Sequence, residues 1–324
     1  MSDQNNSVFE QRVASLRELL DQNDLDALIV SHDDEYLSYE LNEDEERLKY
    51  ITGFSGSAGY AVITRNDLKI NEESIEINQD NSENSTLVER DCAVFVDGRY
   101  VVQVKEQIDT DIFQDFDLAK VKPAKWISSV MPKNSTVGID INCVSYKEYI
   151  SIKNELGMNN INLVATESNL VDKIWTDKPA PVISEISIFP DEYNGCPSPQ
   201  KRQLIAQTLR DKDLDATVIC DPESICWLLN IRGRDRAYLP VINCKMVAYS
   251  NEALEWYINP NHFKDENLQD QLQEHIGHID IFPEEAFDDV LDRLCSSSCT
   301  VYVDPETTNA HVMTKLYSGG AKVS

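Results

Sequence analysis

Three closely spaced glycines are the first candidates for binding chemistry in this sequence. Gly53, Gly56 and Gly59 lie in the stretch Y-I-T-G-F-S-G-S-A-G-Y-A-V-I-T, residues 50–64, between two apolar runs. A dinucleotide site needs G-x-G-x-x-G and a P-loop needs G-x-x-x-x-G-K-[ST], whereas the spacing here is G-x-x-G-x-x-G with no lysine after it. The spacing therefore favours a strand–turn–strand whose glycines permit tight packing over a phosphate-binding loop.

Histidines and cysteines in the last fifth of the chain are candidates for a zinc site. His275 and His278 are three residues apart, and the pair Cys295-x-x-x-Cys299 follows. Two imidazoles and two thiolates are a common tetrahedral zinc set. A strand is predicted to begin at His278, so the two imidazoles need not share a helical face, and surface histidines with buried thiols are the favoured interpretation. We expect no metal ligand and no catalytic residue in this chain, which also lacks H-E-x-x-H and G-x-S-x-G.

An aspartate and an arginine at the end of an apolar strand are the remaining polar candidates. Asp97-Gly98-Arg99-Tyr100 directly follows the strand predicted at 93–96. An aspartate in this position caps the next helix or pairs with a neighbouring cation. Arg99 offers a planar donor fork, which either is tied to a nearby acid or contacts a substrate carboxylate. Both interpretations of Arg99 stay open on the residues alone.

Composition indicates an acidic, folded chain of two domains. The 324 residues are 41% apolar and carry a formal net charge of −28, which disfavours nucleic acid and anionic membranes as partners. No apolar run approaches the roughly 20 residues that span a bilayer, and the first ten residues do not resemble a secretory signal. Eight scattered cysteines are expected to be reduced thiols, several of them buried in strands, in a cytoplasmic protein.

Strands that alternate with helices are predicted to position these residues. The predicted strands cover 27–31, 60–64, 93–96, 136–140, 161–165, 240–249, 254–258, 279–282 and 301–304. Two helices are predicted to begin at the capping residues Ser7 and Ser198. Further helices are predicted at 100–107, 125–130, 146–156, 268–275, 283–294 and 307–316. The acidic stretch 66–91 is expected to be a solvated insertion. The alternation predicts an α/β layer architecture.

A repeated motif indicates an internal duplication. The sequence D-L-D-A, preceded by a helix and followed by an aliphatic strand, occurs at 24–27 and again at 213–216, an offset of 189 residues (216 minus 27). A proline-rich stretch separates the two copies. We therefore predict two diverged copies of one α/β unit, with domain I at 1–174, a linker at 175–197 and domain II at 198–324.

Four segments resemble a known family, in the family's order along the chain. They are I-T-G-F-S-G-S-A-G at 51–59, V-D-G-R-Y at 96–100, N-L-V-D-K-I-W-T-D-K-P at 169–179 and W-L-L-N-I-R-G-R-D at 227–235. Together they resemble cytosolic-type Xaa-Pro aminopeptidases (aminopeptidase P), metalloproteases of the M24, creatinase-like superfamily. This chain departs from the family's pattern in two places. One is the insertion 66–91, and the other is the stretch 236–239, which precedes a proline in the second domain.

The resemblance implies the fold and the place of the metals. Such hydrolases have two related creatinase N-terminal-like domains, each a mixed sheet flanked by helices, before a catalytic domain of pita-bread fold. This chain resembles the first two domains only, so we expect a truncated form that lacks the catalytic domain and is inactive alone. The family's two divalent metals, usually manganese, are held by residues of the third domain, and no residue here matches their motifs.

The resemblance also implies the activity of the intact protein. It is removal of the N-terminal residue from a peptide with proline in the second position, by a metal-bridging hydroxide. The first two domains shape the cleft and restrict access, and Arg99, which matches the arginine of the family's D-G-R-Y motif, is the candidate substrate-binding residue. A homodimer through the third domain is a further expectation. The alternative is a non-catalytic module that binds basic peptides or histones, as a pita-bread-related histone chaperone subunit does.

Overall fold

The computed structural model describes residues 2–65, 76–78, 85–265 and 267–324. The chain divides into two compact units. The first unit comprises Met1–Asp34 and Glu43–Pro179, and the second comprises Glu35–Asn42 and Ala180–Ser324. Eight residues from between the first two strands of the chain therefore belong to the second unit.

The first unit is built on a mixed sheet with helices. Its strands are β1 Ala27–Ser31, β2 Gly59–Thr64, β3 Glu76–Asn78, β4 Ser85–Leu87, β5 Cys92–Val96, β6 Phe113–Asp117, β7 Thr136–Ile139 and β8 Asn162–Ala165, and its helices are α1 Ser2–Gln22, α2 Arg47–Thr52, α3 Gln103–Gln107, α4 Pro123–Val130, α5 Tyr146–Met158 and α6 Leu170–Ile174. The main sheet has the order β6-β5-β2-β1-β7-β8, and β3 pairs separately with β4. Val13, Leu16 and Leu20 recur at helical spacing on α1 and are buried in one core with the sheet.

The second unit repeats this plan. Its strands are β9 Ser187–Ile188, β10 Ala216–Ile219, β11 Ile231–Arg232, β12 Cys244–Tyr249, β13 Leu254–Ile258, β14 Asp280–Pro283, β15 Thr300–Tyr302 and β16 Lys322–Val323, and its helices are α7 Asp191–Asn194, α8 Ser198–Asp211, α9 Pro222–Leu229, α10 Leu268–Ile276, α11 Phe287–Ser296 and α12 Ala310–Ser318. The main sheet has the order β14-β13-β12-β10-β15-β16.

The two sheets have the same strand order and the same strand directions. In the first, β1 is antiparallel to β2 and parallel to β7, and β5 is parallel to β6. In the second, β10 is antiparallel to β12 and parallel to β15, and β13 is parallel to β14. The predicted α/β class and the predicted duplication are therefore confirmed.

The repeated D-L-D-A motif has the same structural task in both units. The Asp26 carboxylate accepts a hydrogen bond of 2.8 Å from the Thr136 backbone N–H, and the Asp215 carboxylate accepts one of 2.7 Å from the Thr300 N–H. The preceding aspartates, Asp24 and Asp213, adopt left-handed backbone conformations with φ of 54° and 55°. The motif thus turns the chain out of a helix and fastens the central strand to its parallel neighbour, which explains its recurrence without any catalytic role.

The predicted strand–turn–strand at 50–64 is wrong in its first half. Residues 47–52 form helix α2, and Gly53 ends it with φ +85° while its N–H donates to the Lys49 carbonyl. Leu48 and Ile51 bury one side of this short helix. The apolar run was too short to separate a buried helical turn from a strand by periodicity. In the second unit Asn230 ends α9 in the same left-handed conformation.

Several predicted boundaries also change. Helix α1 begins at Ser2, not after a cap at Ser7, and Ser198 is the first residue of α8, so it is not the cap. The strand predicted at 240–249 begins only at Cys244, because the residues before it form a loop, and β6 was not predicted. The insertion predicted at 66–91 lies largely outside the described residues. Within the described ranges, no helix has the length and apolar character needed to cross a bilayer.

Candidate functional site

Arg99 lies in a turn at the end of β5, directly after Asp97. The Asp97 carboxylate accepts from the Arg99 backbone N–H at 2.9 Å and from its Nε at 2.8 Å. Both side chains are largely exposed, at 56% for Arg99 and 42% for Asp97. These hydrogen bonds, from the backbone first and the guanidinium second, hold the pKa of Asp97 below its usual value. The aspartate caps the short 3-10 helix Gly98–Tyr100, as the sequence predicted.

The glycine stretch lies next to this turn and serves packing. Strand β2 pairs with β5, so that Gly59 is opposite Val96. A Cβ on Gly59 would lie 2.7 Å from the Phe95 carbonyl oxygen, so the two strands could not approach as they do. The Tyr100 hydroxyl is 2.7 Å from Ser57 Oγ, which connects the turn to the glycine loop. The stretch therefore positions the strand end that carries Arg99.

The N-L-V-D-K-I-W segment fastens α6 to α2 inside the first unit. The Asn169 side chain caps α6 by accepting from the N–H groups of Val171 and Asp172. Arg47 donates two parallel hydrogen bonds of 2.8 Å to the Asp172 carboxylate. Trp175 stacks on Tyr50 with ring centroids 4.6 Å apart. The motif that carries most of the family resemblance is therefore structural in this chain.

Two neighbouring cations stabilise the charged form of Asp172, although the residue is partly buried. Burial raises its pKa, but the hydrogen bonds and charge of Arg47, and then those of Lys178, outweigh that effect and hold the pKa below its ordinary value. Lys178 Nζ lies 2.9 Å from the second carboxylate oxygen. Because the bidentate pair is half-buried, removal of either partner would leave an uncompensated charge.

A pocket of about 340 Å³ in the first unit brings together titratable groups that the sequence did not single out. It is lined by Asp33, Tyr60 and Glu148, among others. Burial, followed by the charge of Glu148, raises the pKa of Asp33 to about 7. Burial and the same glutamate raise the pKa of Tyr60. Asp33 follows β1, Tyr60 lies in β2 and Glu148 lies in α5, so only the folded topology reveals the cluster.

A polar cluster in the second unit surrounds Tyr36. Lys245 Nζ lies 2.7 Å from Glu35 and 3.4 Å from Glu284, and its side chain is only 9% exposed. The Tyr36 hydroxyl donates to Glu284, and Asn309 Nδ2 donates to the Glu35 carbonyl at 2.8 Å. Burial lowers the pKa of Lys245, but the two glutamates raise it by more. The cluster holds the segment Glu35–Asn42 on the second unit.

The histidines and cysteines weighed as a zinc set have other contacts. His275 Nε2 lies 3.2 Å from the Asn230 carbonyl, and Cys295 Sγ contacts the Lys315 carbonyl at 3.8 Å. All eight cysteines are free thiols, and Cys92 and Cys244 are buried in strands, as predicted. Across the ranges that the structure describes, no group of three or more His, Cys, Asp or Glu side chains is arranged to hold a metal ion.

Comparison with known proteins identifies the class of both halves. Residues 177–324 and residues 12–89 each match the profile of the creatinase/prolidase N-terminal domain. With two sheets of one topology, the chain therefore belongs to the creatinase/prolidase N-terminal domain family and contains two such domains.

Among proteins with such domains, this chain is similar to the N-terminal and middle domains of aminopeptidase P, which confirms the resemblance read from its motifs. It is 27% identical over 316 residues to Xaa-Pro aminopeptidase ApepP of Drosophila melanogaster, covering 94% of this chain and 47% of the relative. It is 30% identical over 270 residues to a probable Xaa-Pro aminopeptidase P of Talaromyces marneffei, covering 82% of this chain and 36% of that one. The chain thus spans between a third and a half of the length of these relatives.

A solved structure shares the fold over almost the whole chain. The X-prolyl aminopeptidase of Caenorhabditis elegans, described as a cytosolic enzyme with a di-nuclear active site, superposes with a TM-score of 0.83 at 21% identity. The match covers 97% of this chain and 49% of the other. The described residues of this chain do not fit such a metal pair.

Proposed function

We propose that these residues form the N-terminal and middle domains of an Xaa-Pro aminopeptidase. The observation that carries the proposal is similarity to such enzymes over 94% of this chain, with four family motifs in order. The domain bounds that accompany it are 1–174 and 198–324, joined by the linker 175–197. In this proposal the two domains shape the cleft and the access of peptides to it.

The chemistry of the intact enzyme lies outside these 324 residues in this proposal. A further domain would hold two divalent metal ions, manganese by family resemblance, and such ions would supply Lewis-acid chemistry for peptide hydrolysis. The substrate is a peptide with proline in the second position, and Arg99 contacts it or lines the cleft. The protein works in the cytoplasm, without nucleic acid or membrane as a partner, and forms a homodimer through the further domain.

A second candidate is a non-catalytic module that binds basic peptides or histones. The observation that favours it is the net charge of −28, which attracts cationic partners at low ionic strength. Similarity to peptidases over 94% of the chain favours the first candidate, because charge alone recognises no particular partner.

The test compares the 324-residue chain with the natural polypeptide isolated from its cells by an antibody against this chain. The purified chain should not hydrolyse an Xaa-Pro peptide, even with added manganese. The isolated polypeptide should release the N-terminal residue, and a chelator should abolish that release. Metal-dependent turnover by the 324 residues alone would refute the assignment of the chemistry. An inactive natural polypeptide that binds a basic peptide would favour the second candidate.

A further inference from the structure

An open basic pocket lies on the second unit and encloses about 800 Å³. Four cations line it, Arg232, Arg234, Arg236 and Lys264, and Glu185 is the acidic residue among its lining, so the lining carries a formal charge of +3 (four minus one). This concentration of positive charge stands out in a chain of net charge −28. A concave surface lined by one sign of charge concentrates the opposite ion.

A buried hydrogen-bond network holds the frame of the basic pocket. The Asp235 carboxylate is 1% exposed and accepts from the Ser184 N–H, the Ser184 hydroxyl and the Asn243 N–H, each at 2.8 Å. The Arg234 N–H donates to the same hydroxyl at 2.7 Å. The turn that presents the arginines is therefore fixed before any ligand arrives, which reduces the entropy cost of binding.

Three of the four cations have no acidic partner within the described ranges of the chain. No ion pair there includes Arg232, Arg234 or Lys264, and all three are exposed. The Arg232 guanidinium lies 3.5 Å from the centroid of the Phe189 ring, a contact that orients the group without neutralising it. By contrast, Arg236 is buried and donates to the Asn243 side chain.

We propose that the basic pocket binds the terminal carboxylate of a short peptide. Arginine forks match the planar, bidentate geometry of a carboxylate. Tyr238, which also lines the pocket and is 82% exposed, offers an aromatic surface to an adjacent peptide side chain. A net charge of −28 repels polyanions such as nucleic acid, but it opposes a single carboxylate far less. The choice of a peptide as the source of the carboxylate rests on the proposed function.

The test measures binding to the full 324-residue chain and involves no turnover. The probes are Ala-Pro-Ala with a free carboxylate, its C-terminal amide, and inorganic phosphate, each titrated by calorimetry and by backbone amide shifts. The free acid should bind with shifts at 232–239, and the amide should bind about tenfold more weakly. Added salt should weaken the binding of the acid, because the three cations are exposed. Equal binding of acid and amide, or binding of phosphate without either peptide, would overturn the proposal.

A charge-matched pair of variants separates the pocket from general attraction. The pocket variant combines Arg232→Gln, Arg234→Gln and Lys264→Gln, and the control combines Lys133→Gln, Lys212→Gln and Lys322→Gln at other exposed lysines. The pocket variant should lose about tenfold in affinity for the acid while the control keeps it. Equal losses would overturn the proposal.

If the triple pocket variant does not fold, the single variant Arg234→Gln tests the proposal. This variant should weaken binding of the free acid by a smaller factor and leave binding of the amide unchanged. Unchanged binding of the free acid would contradict the proposal. An inactive natural polypeptide would refute the proposed peptidase without altering these binding results, so the two failures can be told apart.

Discussion

Arg99 is tied to a neighbour two residues away, so its removal should disturb little of the fold. The Arg99–Asp97 pair is exposed, and exposed ion pairs contribute little to stability. In the intact natural polypeptide, Arg99→Ala should therefore lower kcat/KM for an Xaa-Pro peptide while the melting temperature stays unchanged. The control is Arg90→Ala, a partly exposed arginine whose guanidinium donates to the backbone carbonyls of Thr110 and Glu89. Unchanged kinetics, or a large loss of melting temperature, would make Arg99 a structural residue.

Asp33 should make the stability of the first unit depend on pH. Its pKa is about 7 in the folded chain, against an ordinary 3.8, so the folded state holds the proton more tightly. The stability it contributes is complete below about pH 4 and is lost as the pH rises through 7. Asp33→Asn should thus match the wild type at pH 4 and be more stable at pH 8, by on the order of 2 kcal/mol. Amide exchange of β1 and β2 at several pH values measures the difference.

The control for Asp33 is an aspartate without this environment. Asp177 is exposed and lies outside this pocket, so Asp177→Asn should not remove the pH dependence that Asp33 confers. If Asp33→Asn kept the wild-type pH dependence, Asp33 would not be its source. The sequence could not predict this cluster, since the position of Asp33 after a strand does not show that α5 brings a second carboxylate beside it.

Most strands and long helices could be predicted from the sequence, and the short elements next to the candidate site could not. The sequence predicts the strand at 27–31 with its observed bounds, because a run of apolar residues between polar turns is a clear signal. The sequence predicts a strand in place of the end of helix α2, because six residues are too few to show a helical period. The pairing of Arg47 with Asp172, far apart in sequence, could not be predicted from either segment alone.

Gly53 should be far less tolerant of substitution than Gly98. Gly53 ends α2 with φ +85°, and a Cβ there would lie 2.7 Å from the Gln107 carbonyl oxygen and 2.8 Å from the Phe9 ring. Gly53→Ala should therefore destabilise the first unit by about 1–3 kcal/mol, measured by urea unfolding. Gly98→Ala is the matched control, because a Cβ there meets nothing within 4 Å. Equal stability of the two variants would show that the α2 turn adapts without strain.

The whole molecule is a duplication, as the sequence predicts. The sequence does not predict that one segment of the first repeat belongs to the second unit. D-L-D-A recurs because one carboxylate fastens the same pair of parallel strands in each unit. The segment Glu35–Asn42 lies between β1 and β2 in sequence, yet it belongs to the second unit. Its acidic, irregular sequence shows no period, and the contacts that hold it come from residues some 200 positions later, such as Lys245.

Because Glu35–Asn42 belongs to the second unit, a substitution in this segment should destabilise the second unit. Tyr36 is 6% exposed, donates to Glu284, and lies with its ring 4.9 Å from Lys245 Nζ. Tyr36→Ala should remove buried aromatic area and the hydrogen bond that Tyr36 donates to Glu284. The free energy of unfolding should fall by about 3 kcal/mol. Amide exchange should therefore accelerate in β12 and β13, whereas β2 and β5 keep their protection.

Tyr39→Ala is the control, since it removes the same side chain three residues further on, where 61% of it is exposed. It should leave exchange in β12 and β13 near the wild-type rate, because truncation of an exposed side chain costs little. Acceleration in β2 and β5 by Tyr36→Ala, without any change in β12 and β13, would mean that the segment stabilises the first unit instead. Acceleration confined to the second unit would show that eight residues inserted between two strands of one repeat complete the fold of the other.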